Sequence, residues 1–566
     1  MFKNQKGSAL LTVMLMMLIF TILGISILSV TIGGAKRTEG RESQIETDLD
    51  AIKAVNEGIA YIKNTINSQY NSSKSLDDYN NTIIPSINSN MKEGVKYEIE
   101  NVTERDYSDP EGELGYIDPD QDFTRVFDVS ALSYSGKNYT QRLYVTAMPS
   151  FLKYALGSKE QLTMNGSIYI EKGNIYSREN LYISDQARYI FDSQKLVQTD
   201  PSSTDKNSIL EAYKDIYSCT KLRPSVKQGD NIQLGSGDSC YNQVEDDNEM
   251  DNGRKELSWK KVENKNNQEE INKLFETGLG PTYLLPNEEF VDVYIPETII
   301  DKLSEINVKA SYDKVNNNII FGQLGLVNQI KDDDDENEYV DTSMAVKDRN
   351  NYIKTTSDDK WIFIEPNQPN NLFEIKKGNW LIINGNAFIE NIGSKKLNID
   401  ANIIVTGNLR ITGDVAFNST IYVLGNVEVI DANISGYKYK NDKGDEISGD
   451  LILMNENKLS IAKINKFIPP QNPDYKLNVY FYTASEAELY AVGSYITITG
   501  GLFAGDNLEV NSFRGTTDSD LKFDASDDYK DSRLVIYNDR KLFLNQSQGL
   551  PRVDKLQYIT DPIKKE

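Results

Sequence analysis

The sequence contains few side chains suited to catalysis, and its candidate reactive groups are two cysteines and several clusters of carboxylates. Histidine is absent from the 566 residues, which excludes Ser-His-Asp triads, Cys-His pairs, zinc sites built on histidine and histidine acid–base chemistry. Paired carboxylates can hydrolyse glycosidic bonds without histidine, but no distinctive pair stands out. The sequence therefore predicts a protein that is not an enzyme and has neither a catalytic residue nor a cofactor.

The two cysteines, Cys219 and Cys240, belong to no CxxC pair and to no metal-ligand cluster. A disulfide between them would close a loop of about 20 residues and stabilise the fold by roughly 3 kcal/mol in the chain-entropy model. Such a bond requires an oxidising compartment. The alternative is two unrelated buried thiols.

An acidic loop between two predicted strands could supply oxygen ligands to a metal ion. Calcium prefers clustered carboxylates, but the spacing does not match the twelve-residue EF-hand loop with its closing Glu. No metal site is assigned, and the calcium candidates are Asp118, Asp120 and Asp122. The alternative is a solvated loop that keeps an acidic protein soluble, and we prefer that interpretation also for the acidic run 332–336.

The charge balance restricts the partners. The formal net charge is −24, which argues against nucleic acid because its phosphates are bound mainly by Lys and Arg side chains. The same charge argues against anionic lipid as a ligand of the chain beyond its N-terminal segment.

The N-terminal segment is the element expected to position the rest of the chain. It contains no charged residue in 8–35. As an α-helix this run would extend about 42 Å, which is enough to span a bilayer. Apolar residues then recur at three- and four-residue spacing, so we predict one continuous helix with a transmembrane part at 8–35 and an extramembrane part at 36–70. The alternative is a signal peptide cleaved near Ala35. The recurring residues are Ile45, Leu49, Ile52, Val55, Ile59, Ile62 and Ile66.

The first residues carry a resemblance to a known family. A short basic leader, 1–7, ends with Lys6 and Gly7 and is followed by Ser8 and the apolar run. This pattern resembles type IV prepilins, more closely the PilX-type minor pilins and the K-type minor pseudopilin of type II secretion. The resemblance implies that a prepilin peptidase cuts between Gly7 and Ser8 and that the helix packs against other pilins. The alternative is a plain signal-anchor protein in which Gly7 is incidental.

One residue departs from the family pattern. The fifth residue of the processed chain would be Thr12, where most pilins have Glu. In the family that carboxylate is thought to face the N-terminal ammonium of a neighbouring subunit, and a charge there is expensive unless it is paired. A subunit without it cannot neutralise the amine of a preceding subunit. The resemblance therefore implies a position at the filament tip.

A small antiparallel sheet is predicted after the helix, in 71–150. Alternating segments near 95–99, 123–134 and 139–147 have strand chemistry, and the turn 135–138 separates the last two. A long N-terminal helix followed by such a sheet is the pilin arrangement.

The rest of the chain is punctuated by Gly-Asn pairs. Pairs at 385, 407 and 425 precede short alternating strands, and similar blocks occur near 173 and 507. A period near 20 residues predicts a parallel β-helix, in which Gly and Asn suit tight corners. The alternative is an antiparallel sandwich. The rungs are loosely similar to those of bactofilin-like polymers. The predicted segments are a first repeat block, an acidic insertion, a second repeat block and a C-terminal segment: 151–200, 201–375, 376–512 and 513–566.

These predictions give an α+β fold, mostly β, with a membrane helix, a small antiparallel sheet and a β-helix-like body carrying an insertion. The predicted function is a minor or tip subunit of a type IV pilus or pseudopilus, acting in filament assembly and surface adhesion through an unidentified ligand. Its N-terminus would be cytoplasmic and its body extracellular. The alternatives are a membrane-anchored cell-surface scaffold and a glycan-acting enzyme.

Overall fold

The computed structural model describes residues 6–565 except for the following: 71–77, 90–95, 107–116, 118–123, 135, 147–148, 189–195, 220–240, 244–254, 258, 285–289, 291–292, 332–338, 356–359, 367–370, 377, 392–394, 441–445, 463–476, 494, 518–522, 539–550 and 552–555. The chain forms two compact units. The helix unit comprises Met1–Arg105, Phe123–Thr146 and Tyr558–Glu566, and the solenoid unit comprises Asp106–Asp122 and Ala147–Gln557.

The helix unit is built on one α-helix, α1, which runs without interruption over Lys6–Asn67. The predicted continuous helix is therefore confirmed. Short helical turns follow at Tyr79–Ile83, Ile84–Ser89 and Thr103–Asp106. Antiparallel pairing joins the three strands that the sequence predicted, and the end of the chain supplies two further strands of the same sheet. The five strands are Glu98–Asn101, Arg125–Leu132, Asn138–Thr146, Gln557–Thr560 and Lys564–Lys565.

The solenoid unit consists of parallel sheets stacked coil upon coil. In spatial order the first face contains Thr282–Leu284, Ile209–Ala212, Asn174–Ser177, Tyr154–Ser158, Ile496–Ala504, Leu477–Thr483, Leu451–Asn455, Ser419–Val423, Asn402–Val405, Trp380–Asn384, Asn351–Lys354 and Asn328–Ile330. The second face contains Lys260–Lys261, Ile216–Cys219, Leu181–Ser184, Leu162–Gly166, Leu508–Ser512, Ala487–Ala491, Leu459–Ala462, Val427–Gly436, Leu409–Phe417, Asn386–Asn391, Trp361–Phe363 and Tyr339–Asp341. Neighbouring strands of these faces pair in parallel, apart from Lys260–Lys261, so the solenoid prediction is confirmed over the sandwich.

A third, shorter face completes the coils. In one part of it Leu372–Glu374 pairs with Leu397–Asp400, which pairs with the end of Leu409–Phe417. Farther along, Ile496–Ala504 pairs with Leu534–Tyr537, which pairs with Ile168–Lys172, and that strand pairs with Ser203–Thr204. Small antiparallel hairpins and helices project from the coils: Gln186–Arg188 with Leu196–Gln198, Tyr241–Gln243 with Lys255–Leu257, Ala310–Asp313 with Asn318–Phe321, Lys438–Lys440 with Glu446–Ser448, Gly515–Thr517 with Phe523–Ala525, and the helices Ser150–Lys153, Gln268–Asn272, Ile295–Glu305 and Tyr529–Asp531.

The Gly-Asn pairs at 385, 407 and 425 form one corner of the coils, between the first and second faces, as their sequence chemistry predicted. The N–H of Gly407 donates to the carbonyl of Gly385 (3.0 Å). In the same corner the N–H groups of Asn408 and Asn426 donate to the side-chain Oδ1 atoms of Asn386 and Asn408 respectively, both at 2.8 Å. The ladder satisfies backbone donors that a tight corner leaves without strand partners. Inward-facing Leu, Ile and Val side chains fill one continuous core beneath it.

The order of the coils in space differs from their order in the sequence. The early block (154–219) and the late block (328–512) are joined so that the last coil of the late block stacks on the first coil of the early block. Leu508 pairs with Leu162 on the second face, and Leu502 pairs with Leu156 on the first. The early block is therefore an extension of the late block, although it comes first in the chain.

The predicted insertion at 201–375 differs from the structure, because its two ends form coils. Strands such as Ile209–Ala212 and Asn351–Lys354 belong to the first face. The chain leaves the stack between Thr282–Leu284 and Asn328–Ile330, the first-face strands at opposite ends of the solenoid, which this region connects. Its helix Ile295–Glu305 contacts Ser419–Val423, in the middle of the first face. Ser419–Val423 is consequently covered on both sides, and all five of its residues are buried, as expected for a parallel strand inside the fold.

The C-terminal segment predicted at 513–566 is also not a single element, because part of it completes a coil of the solenoid. Leu534–Tyr537 completes the coil that begins at Tyr154, because it lies between Ile496–Ala504 and Ile168–Lys172 on the third face. The side chain of Asn538 then donates to the carbonyl of Tyr154 (3.1 Å). We call this composite coil, 154–166 with 534–537, the junction coil, because the chain both enters and leaves the solenoid there.

Candidate functional site

The first half of α1 is an apolar surface that the helix unit leaves uncovered. Every side chain from Leu10 to Glu46 is exposed. The helix is long and apolar enough to cross a membrane by length and composition. Gly7 lies within the same helix, and Thr12 lies on its exposed part. The large apolar side chains concerned are Leu10, Leu11, Val13, Met14, Leu15, Met16, Met17, Leu18, Ile19, Phe20, Ile22, Leu23, Ile25, Ile27, Leu28, Val30 and Ile32.

The second half of α1 buries its apolar stripe against the antiparallel sheet. Val55, Ile62 and Ile66 are fully buried, and the buried stripe begins at Ala51. The predicted stripe was longer, since it began at Ile45, but Ile45 and Leu49 are exposed. The apolar contact of the helix with the sheet is therefore confined to the part of the helix from Ala51 onward.

A glycine allows the close approach of this helix to the sheet. A Cβ atom at Gly58 would lie 2.6 Å from Cγ1 of Val129 and 2.9 Å from Cδ2 of Tyr97. Glycine in a helix interior costs about 1 kcal/mol relative to alanine, so the close packing at this position compensates for a local loss of helix stability.

An ion pair joins α1 to the last residues of the chain. Nζ of Lys565 lies 3.0 Å from Oδ2 of Asp48, and the hydroxyl of Ser133 donates to Oδ1 of Asp48 (3.2 Å). The bonds from Lys565 and Tyr139 lower the pKa of Asp48 to about 2, and bonds to Tyr139 and Asp48 raise the pKa of Lys565. Sequence analysis missed this pair because nothing in the local pattern relates residues so far apart in the chain.

The contribution of Asp48 to stability should disappear in acid. Because its pKa is lowered on folding, this contribution is present above the ordinary carboxyl pKa near 3.8 and is lost as the pH falls through about 2. We expect the melting temperature of the helix unit to fall between pH 4 and pH 2, and the fall to be smaller in Asp48→Asn. Asp50→Asn, an exposed position on the same helix, is the control. An equal acid response in all three proteins would contradict the assignment.

A second contact ties the chain end to α1. The hydroxyl of Tyr558 donates to Oδ1 of Asn67 (2.7 Å), and Nζ of Lys63 lies 5.5 Å from the ring centroid of Tyr558. Tyr558 is 9% exposed, and this burial raises its pKa. The last nine residues of the chain thus contact α1 near both ends of its packed half.

The remaining predicted site residues are separate from α1. Cys219 is buried at the end of its strand and is disulfide-bonded, while Cys240 lies outside the described residues. The calcium candidates Asp118, Asp120 and Asp122 also lie outside them. Within the described part of the chain no group of three or more Cys, Asp or Glu side chains is placed to hold a metal ion.

Comparison with known proteins adds little. No family model matches the chain, and no curated protein matches it. Among solved structures, the chain is similar to the competence-associated pilin ComZ from Thermus thermophilus, with 13% sequence identity and a TM-score of 0.27 over 92% of this chain and 97% of that one. At that TM-score we infer neither fold nor function from the likeness.

Proposed function

We propose that the protein is a minor or tip subunit of a type IV pilus or related pseudopilus, anchored by α1 and carrying the solenoid unit outward. The observation that supports this most is the single uninterrupted helix over Lys6–Asn67. Its first half is apolar and exposed, and its second half is packed on a folded sheet. The role is structural or ligand-binding rather than catalytic.

An apolar surface of this size requires a cover. Monomeric soluble proteins rarely expose a contiguous apolar patch of more than a few hundred Å², and the exposed segment spans more than six turns of helix. Lipid can cover it, and so can a bundle of similar helices. Because the helix is uninterrupted through Asn67, a subunit can exchange one cover for the other without refolding its helix unit.

The N-terminal residues support a processing site and a particular position in the filament. Gly7 and Ser8 match the prepilin pattern, which supports a prepilin peptidase as a partner and a cytoplasmic N-terminus for the precursor as parts of the proposal. Thr12 supplies no carboxylate to a preceding subunit's amine. A subunit of this kind suits the tip, where no subunit precedes it and filament assembly begins.

Processing is the experiment that tests the proposal. We expect the protein extracted from its native membrane to begin at Ser8, and we expect Gly7→Val to retain Met1 or Phe2 and to reduce filament number. Gly24→Val is the matched control, since a Cβ at Gly24 meets nothing within 4 Å in the chain. N-terminal sequencing and electron microscopy provide the two measurements.

Two outcomes would contradict the proposal. A mature protein that retains its first residues, with normal filaments in Gly7→Val, would favour a membrane-anchored scaffold. If processing occurs but antibody against the solenoid unit labels the filament shaft uniformly instead of its ends, the protein is a repeating subunit and the tip assignment is wrong.

A further inference from the structure

The exposed apolar side chains of the solenoid unit are concentrated at one of its ends. Among its described residues, five of the seven large hydrophobic side chains that are exposed lie in 315–346. This segment leads into the last coil of the first and second faces, whose strands are Asn328–Ile330 and Tyr339–Asp341. We call residues 326–330 and 339–346 the open end. The five exposed side chains are Val315, Ile320, Leu326, Met344 and Val346.

The first-face strand of this last coil has an unpaired outer edge. Asn328–Ile330 pairs with Asn351–Lys354, and no strand lies on its other side in the described part of the chain. The N–H of Asn328 donates to the carbonyl of Asn350 (2.9 Å). The backbone groups of successive residues point to opposite sides of a strand, so the N–H and carbonyl of Gln329 point away from that neighbour. Backbone groups exposed in this way are a template for another strand.

Exposed apolar side chains lie beside this edge. Nδ2 of Asn328 donates to the carbonyl of Met344 (3.3 Å) and to Oδ1 of Asn351 (2.8 Å). The N–H of Val346 donates to the same Oδ1 atom (2.8 Å). Leu326 comes just before the strand and is 98% exposed, and Met344 is 72% exposed. An added strand would therefore cover apolar surface as well as pair with the backbone.

The opposite end of the solenoid provides the contrast, because the chain itself closes it. There the segment 262–281 inserts three apolar side chains into the core. Oε1 of Gln268 also accepts a hydrogen bond from the N–H of Tyr283 (2.9 Å), in the outermost first-face strand Thr282–Leu284. The fold thus covers the core and satisfies an edge donor at this end. The inserted side chains are Ile271, Leu274 and Phe275.

The charge of the last coil indicates what kind of strand fits the open end. Residues 326–349 contain eight Asp and Glu but three Lys and Arg, and five of the acidic residues are consecutive, at 332–336, between the two strands of the coil. A second copy of the chain at this end would bring two such acidic coils together, and like charges at an interface are unfavourable. A basic segment is attracted instead. The charge therefore opposes self-association and favours a basic partner.

We propose that the open end binds an extended basic segment of a partner protein, which adds a strand beside Asn328–Ile330. Main-chain hydrogen bonds to Gln329 provide affinity, and alternate side chains of the segment provide specificity. Its apolar side chains contact Leu326 and Met344, and its Lys or Arg side chains lie near the acidic residues of the coil. This site does not depend on the proposed role of α1, because it lies wholly within the solenoid unit.

Peptide binding to the full chain in a nonionic detergent, measured by fluorescence polarisation, tests the proposal. The probe is a labelled peptide of alternating valine and lysine. One comparison peptide has glutamate in place of lysine, and another keeps the side chains but carries N-methyl groups that prevent strand pairing. We expect the probe to bind about tenfold or more tightly than either. No binding of the probe overturns the proposal, and so does equal binding of the N-methylated peptide, which would show attraction by charge alone.

Variants locate the binding. Gln329→Pro removes the outward N–H, and proline is tolerated on edge strands, so the probe should bind about tenfold more weakly. Gln329→Val keeps the N–H and should bind like the wild type. Met344→Arg changes an exposed side chain and does not threaten folding; its charge should repel the probe, whereas Val315→Arg, outside the open end, should leave binding nearly unchanged. Wild-type binding by both Gln329→Pro and Met344→Arg would place the peptide elsewhere.

A second copy of the chain is the other possible occupant, and sedimentation distinguishes it. We expect the wild type and Gln329→Pro, in the same detergent and without peptide, to sediment alike. A larger species in the wild type that is lost in Gln329→Pro would show that the open end pairs with another copy, and it would overturn the assignment to a basic partner.

Discussion

Replacing Gly413 by alanine should destabilise the solenoid unit by more than about 4 kcal/mol, the range reached only by severe steric or burial defects. Gly413 has a φ of +79° and lies at a register shift in strand Leu409–Phe417. A Cβ there would lie 2.2 Å from the carbonyl oxygen of Asn391. Asn391 pairs with Gly413 in the register of the two strands, and its side chain donates to the carbonyls of Lys395 (2.9 Å) and Asp414 (2.7 Å). These bonds hold the Asn391 backbone in place, so a small movement does not relieve the clash.

Gly378 provides a matched control for this prediction. Its φ is +85°, nearly that of Gly413, but a Cβ there would meet nothing within 4 Å. Gly378→Ala should therefore cost only the left-handed backbone penalty of about 1–2 kcal/mol. Urea unfolding of the full chain, followed by tyrosine and tryptophan fluorescence, compares the two midpoints. Similar midpoints in both variants would show that the coil adjusts and that the bulge is not sterically fixed.

Removing Tyr558–Glu566 should release the packed half of α1. The deletion removes the strand beside Asn138–Thr146, the hydrogen bond from Tyr558 to Asn67 and the ion pair with Asp48. Loss of one buried aromatic side chain costs about 3–5 kcal/mol. We expect hydrogen exchange of the α1 amides at 51–66 to accelerate at least a hundredfold.

A shorter deletion and a distant probe serve as controls. A chain that ends at Asp561 keeps Tyr558 and loses only the Lys564–Lys565 strand and its ion pair, so its exchange should accelerate much less. Amides of Leu451–Asn455, in the middle of the solenoid, should be unaffected in both proteins. Unchanged protection of α1 in the longer deletion would show that the helix unit is stable without its last strands.

Local patterns predicted the elements whose chemistry repeats. The uncharged run followed by a 3.6-residue stripe predicted α1, and Gly-Asn corners such as those at 385 and 407 predicted parallel coils. The coils near Asn351–Lys354 and Trp361–Phe363 were missed because they lack the Gly-Asn pair and their strands are short. Both were therefore assigned to an insertion.

The pairing of strands far apart in the chain could not be predicted from the sequence, for a physical reason. A repeat indicates that coils stack, but any coil offers the same backbone hydrogen bonds to either neighbour, so the pattern does not specify which coil follows which. The sequence of the strand Gln557–Thr560 likewise does not indicate which strand it pairs with.

The junction coil determines when the solenoid can become stable during synthesis. The early block is made first, but the first-face strand Tyr154–Ser158 must wait for Ile496–Ala504, which is made several hundred residues later. Until then that strand is an open edge, and open edges pair readily with other chains. Closing so long a loop is slow because its entropy is lost before any contact compensates for it. The nascent chain is therefore most vulnerable to aggregation between the synthesis of its two blocks, and a chaperone that shields strand edges would help it most in that interval.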